Sequence, residues 1–254
     1  MRIADLTVAV RPRHPYEAMD LGVRLVQTEW PRLARTLLAV AGPVLLLAML
    51  LTLSTGQMLW GWLLLWWLKP LYDIALLLVL SRRVFGATPA RGELARLLAG
   101  SGRMGLAGHL LWRRFSFSRA YLLPVWVLEQ LPASERGARL ALLCRQHQGK
   151  AQWLHIVMAH FDSFLQLSLL ALLFWLLPEA SRGDFWTLLS DEAHLAGELL
   201  KLGVAFAGLL LIEPFYVAMG FMLYLNRRTE LEAWDLELAF RHLGERLASR
   251  RPAA

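Results

Sequence analysis

The sequence predicts an all-α polytopic membrane protein, a single domain over residues 1–254 with four transmembrane helices plus interfacial and cytoplasmic helices. Three observations predict it. Apolar residues make up 57% of the chain and charged residues 19%, where soluble domains carry roughly 45–50% and 25%. Uncharged or nearly uncharged runs at 33–53, 58–81, 153–177 and 199–225 reach the ~20 residues that a bilayer core requires. The segments between them alternate in charge. Residues 1–35, 82–152 and 227–251 are basic, and 54–57 and 178–198 are neutral or acidic. Basic segments stay inside, so both termini are expected in the cytoplasm and the membrane is expected to be the bacterial inner one.

The net charge of +7 rests mostly on arginine, since Lys69, Lys150 and Lys201 are the only lysines among 27 basic residues. No basic-aromatic motif accompanies that charge, so nucleic acid is not an expected partner. Cys144 is the sole cysteine, which excludes an intramolecular disulfide and a thiol metal cluster. Residues 1–32 are charged from Arg2 to Arg32 without an apolar stretch. The first span is therefore expected to act as an uncleaved insertion signal.

In chain order, residues 7–10 suit a short strand. Pro15 suits a helix start, and Met19, Val23, Val26 and Trp30 then follow helical spacing. Residues 15–30 are expected as an amphipathic helix on the inner membrane surface; the alternative is a cytoplasmic helix packed on others. Pro43 is expected to kink the first span. Trp60 and Trp62 fit the outer interfacial belt of the second. Its middle reads Lys69-Pro70-Leu71-Tyr72-Asp73, with Lys69 and Asp73 four apart on one helix face.

Residues 82–152 predict helices near 90–99, 104–114 and 134–147. Between them, residues 115–131 are apolar but interrupted by Arg119 and Pro124, too short for a span and expected to be re-entrant or interfacial. The third span carries His155, His160, Asp162, Ser163 and Gln166 in its first half. Residues 178–198 are expected as a loop, with Ser190 capping the next helix. The fourth span offers Gly203, Ala207 and Gly208 for close packing and carries Glu213 in its interior. Thr229-Glu230-Leu231-Glu232 reads as a capping box opening a cytoplasmic C-terminal helix over 226–254.

The intramembrane ions Lys69, Asp73 and Glu213 are the candidate site. Such residues cost at least about 2.5–3.5 kcal/mol each and pair inside a bundle. One lysine does not balance two carboxylates, so either an arginine reaches in or one carboxyl is protonated. The cluster reads as a structural clasp, or as a proton or substrate path. His155, His160 and Asp162 form an inner-half polar group; a five-residue histidine spacing is poor for metal, and no HExxH motif is present. GxSxG, Walker A and GxGxxG patterns are also absent. No catalytic, cofactor-binding or metal-binding residues are expected, and the chain is expected to be non-enzymatic. Arg113, Arg114 and Arg119, and the tail residues Trp234 and Asp235, are candidate contacts to lipid headgroups or partners.

Five strings carry a resemblance. They are RPRHPYEAMDLG (11–22), LKPLYD (68–73), LSRRVFG (80–86), RAYLLPVWVLEQL (119–131) and EPFYVAMGFMLYLNRRTELEAWDLELAFR (213–241). Together they resemble a family of bacterial inner-membrane proteins whose genes lie near those of MoxR-type AAA ATPases and other multi-pass proteins. The family commonly has an Arg after the KPLYD string, where this chain has Ile74. A fainter likeness is to the membrane domain attached to some glycerophosphodiester phosphodiesterases, which is not itself the hydrolase. The resemblance implies a membrane subunit or scaffold, with membrane-protein partners, an AAA ATPase partner, or a homo-oligomer. The alternatives are a transporter-like module using Lys69, Asp73 and Glu213, and a membrane enzyme acting on lipid or envelope precursors.

Overall fold

A computed structural model describes residues 11–86, 92, 106–191 and 194–233. All described elements are helical: α1 (Pro15–Thr55), α2 (Met58–Trp67), α3 (Lys69–Val84), α4 (Leu106–Leu111), a 3-10 turn (Arg113–Phe115), α5 (Arg119–Pro124), a π turn (Val125–Glu129), α6 (Ala133–Leu176), α7 (Glu179–Ser190) and α8 (Leu195–Glu232). Four stretches are long and apolar enough to cross a membrane: α1, α2 with α3, α6 and α8. The chain is an all-α, multi-pass membrane protein. The expected strand at 7–10, the helix at 90–99, and the tail from residue 234, including Trp234 and Asp235, lie outside the described residues.

The interfacial helix and the first span are one 41-residue helix, not two. The reason is a continuous apolar stripe. Val26, Leu33, Leu37, Ala41, Val44 and Ala48 are all buried at helical spacing, and the broadest helix seam in the bundle is α1 against α8. Burying that stripe keeps the helix going through Pro31 and Pro43, although each removes a backbone donor. Gly22 sets the spacing of the seam, since a Cβ there would lie 2.7 Å from Met219 Cα.

The second span is two helices meeting at Leu68, whose ψ of 4° leaves the helical range. Pro70 is the cause. It has no N–H, and its ring would clash with the Trp66 carbonyl four residues back. Restarted at Lys69, the proline falls in the first turn of α3, where it fits. The break frees carbonyls at Trp66 and Trp67, and the Arg114 guanidinium donates to both at 3.1 Å.

Three further expectations are corrected. The helix near 134–147 and the third span are one 44-residue helix, α6. Residues 179–190 form α7 rather than a loop, and Ser190 ends that helix instead of capping the next. Gly197 lets α8 turn back tightly, since a Cβ there would meet the Leu188 carbonyl oxygen at 1.9 Å. Glu198 then accepts the Met58 N–H at 2.6 Å, satisfying a backbone donor at the start of α2. Finally, Thr229 does not open a new helix. It lies inside α8 and its hydroxyl donates to the Leu225 carbonyl. Arg227–Glu230 and Arg228–Glu232 pairs, at helical spacing, carry α8 on.

Candidate functional site

The site grows out of the break at Leu68. Lys69 opens α3, and its ammonium meets Glu213 Oε2 of α8 at 2.8 Å. Roughly 1.5 Å per residue from Met58 puts Lys69 about 16 Å into its span. Asp73, one turn further on, is 0% exposed. Lys69 and Asp73 share a helix, but the ion pairs run to other elements. Arg119, at the start of α5, places Nη2 3.2 Å from Glu213 Oε1 and Nε 3.2 Å from Asp73 Oδ2. The arginine that reaches in is therefore Arg119, and one guanidinium bridges two carboxyls.

Segment 115–131 makes this reach by packing inward. Ala120, Tyr121, Leu123, Val125 and Val127 are all buried. Gly220 admits α5 against α8, since a Cβ there would lie 2.5 Å from the Ala120 Cβ. The Ala120 N–H donates to the Tyr216 hydroxyl at 3.3 Å, and His155 Nδ1 lies 2.9 Å from the same oxygen.

Two groups that look separate along the chain become one site. A cavity of about 220 Å³ is lined by Trp62, Lys69, Arg119, His155, Asp162 and Glu213, among others. His160 stays apart. It is exposed, with Nδ1 2.8 Å from the Ile156 carbonyl on its own helix. His155, His160 and Asp162 thus do not converge. Of the small residues expected on α8, Gly208 makes the close approach, where a Cβ would lie 2.5 Å from Asp162 Oδ1. Gly203 has open space around it.

Of the arginines expected at headgroups, Arg114 and Arg119 are buried and Arg113 is half-buried. Arg114 is buried, caps α2 and lies 3.6 Å from the Trp66 ring centroid. Arg113 stacks 3.2 Å from the Trp126 ring centroid. Guanidinium faces on tryptophan bury well because the cation meets the ring quadrupole. Arg119 is held by the carboxyls. A second network joins the π turn, α6 and the end of α8. Glu129 receives Arg139 at 2.7 Å and the Tyr224 hydroxyl at 2.6 Å, and Arg139 also meets Glu232. These residues border a cavity of about 520 Å³. Its two arginines, Arg139 and Arg228, balance its two glutamates.

His109 on α4 supplies a test of this packing. It is buried, edge-on to Trp126, and burial, aided by Arg113 and Arg119, pushes its imidazole from 6.5 down to about 4. It stays neutral when folded and takes a proton when unfolded in that window. Its contribution to stability is therefore intact above 6.5 and is lost as pH falls toward 4. The thermal midpoint of His109→Gln in detergent is expected to fall less than wild type across that window. An equal slope for both proteins would show that His109 does not carry it.

The chain matches no known family model, no curated protein and no solved structure.

Proposed function

We propose that the chain is a non-enzymatic integral subunit of a bacterial inner-membrane assembly, with both termini cytoplasmic. The observation that carries this is α6. Only 6% of its most apolar window is buried, against 61% for the second span and 39% for α8. Phe164, Leu167, Leu172, Trp175 and Leu176 all face outward. Helix association in a bilayer rests on packing rather than on the hydrophobic effect. A span that touches its own bundle along a narrow strip is a span with room for neighbours. The charged groups point the same way. Lys69, Arg119 and Glu213 are engaged with one another rather than poised on a nucleophile. The orientation rests on the basic segments, and a MoxR-type ATPase as partner rests on the family resemblance.

The test places a photo-cross-linking amino acid at Leu172, with buried Val217 as control, in the chain at native abundance. Adducts at Leu172 with other membrane proteins, and recovery of a MoxR-type ATPase with the complex, are expected. Adducts with lipid or with a second copy alone would overturn the assignment.

A transporter-like module is the second reading, favoured by one feature: a discontinuous span beside a polar cavity. Transporters place binding sites at such breaks.

A further inference from the structure

The charges around the cavity do not balance. The cavity lining sets Lys69 and Arg119 against Glu213 and Asp162, and Asp73, held to Arg119 behind that lining, adds a third carboxyl. An unbalanced negative charge in the interior of a helix bundle is expensive, and it is relieved by binding a cation or a proton. The geometry says which carboxyl is under-served. Glu213 takes the Lys69 ammonium at 2.8 Å and an Arg119 hydrogen bond at 3.2 Å. Asp162 lines the cavity and is only partly buried. Asp73 is 0% exposed, and neither of its oxygens accepts a hydrogen bond. Its one ionic contact, to Arg119 Nε, is at 3.2 Å but is not aligned as a hydrogen bond. A bare carboxylate in that position is the costliest state in the cluster.

We infer that Asp73 is a proton-binding site, holding one exchangeable proton as a neutral carboxylic acid beside the Arg119 bridge. The groups that face it are accounted for on every element. They are Lys69 and Tyr72 on α3, Arg119 on α5, and Glu213 and Tyr216 on α8, with His155 and Asp162 of α6 on the adjoining cavity. Asp73 does not line the cavity, whereas Glu213 and Lys69 do. Exchange therefore runs from the Asp73 carboxyl to Glu213 and from there to water in the cavity. Protonating Glu213 discharges its pair with Lys69, which frees the ammonium at the end of the broken helix. A proton thus gates the Lys69–Glu213 ion pair that ties α3 to α8. This inference stands independently of the partner assignment, which is read by cross-linking.

Infrared difference spectra of the full chain in nanodiscs test it. Wild type at neutral pH is expected to show a carboxylic-acid carbonyl band that shifts in heavy water. Asp73→Asn should lose the band and keep the thermal midpoint, because the amide matches the neutral acid in shape and charge. Asp162→Asn should keep the band. Absence of the band in wild type, its persistence in Asp73→Asn, or its loss in Asp162→Asn would overturn the inference. So would a band unmoved by heavy water. Should Asp73→Asn fail to fold, that failure itself counts against a neutral Asp73.

Discussion

Glu213→Leu is expected to destabilise the folded protein by about 3–5 kcal/mol, the range for removing one partner from a buried ion pair. Glu213 is 2% exposed, and it is the group that touches both cations, Lys69 at 2.8 Å and Arg119 at 3.2 Å. Truncation removes an anion and strands an ammonium inside a span, where water does not take over. Arg119 keeps Asp73, which balances it by giving up its proton, so the loss falls mainly on Lys69. Reversible unfolding in mixed micelles measures it. A change below about 1 kcal/mol, the size of a surface ion pair, would show that the cluster is solvated.

The second large effect belongs to Gly22→Leu. A Cβ at position 22 would lie 2.7 Å from Met219 Cα and 2.8 Å from Met219 N. Those are backbone atoms of α8, so no rotamer change relieves the contact. Overpacking of this kind costs about 1–3 kcal/mol or more, and here it pries open the α1–α8 seam. Gly42→Leu on the same helix is the control, since nothing lies within 4 Å of its Cβ position. It should unfold like wild type. Equal behaviour of the two variants would mean that α1 and α8 are not in close contact.

Much of this fold is written locally. Spans announce themselves because a bilayer demands length and low charge, and both are readable residue by residue. The polar cluster is also visible in part, since Lys69, Asp73 and Glu213 are out of place in apolar runs. Arg119 is equally out of place within FSFSRAYLLPVWVL, but nothing in that string says which carboxylates it serves. That depends on α5 seating against Gly220, a contact across 100 residues of chain. The same holds for the merging of His155 and Asp162 with the Lys69 cluster, which needs α6 and α8 packed at Gly208.

The boundaries went astray for a different reason. Local signals such as Thr229 with Glu232, or Ser190 before Asp191, are those of helix starts. In this protein tertiary packing overrides them. Tyr224, Asn226 and Arg227 are buried against other elements, so α8 gains more by continuing than by capping at Thr229. Asn226 shows this well, exchanging two hydrogen bonds with the Arg13 backbone at 2.8 and 2.9 Å. Pro70 is the opposite case. Its local effect prevails, because no packing restores the hydrogen bond it removes, and Arg114 supplies the missing donors instead.

Lys69 and Glu213 form an ion pair inside the spans and so join α3 to α8. The measurement that tests it most directly is a double-mutant cycle of Lys69→Met and Glu213→Leu, read as unfolding free energy in mixed micelles. Each single variant is expected to be destabilised, and the double variant to lose less than the sum of the two, with a coupling of about 1–3 kcal/mol. Losses that simply add, within about 0.5 kcal/mol, would contradict it.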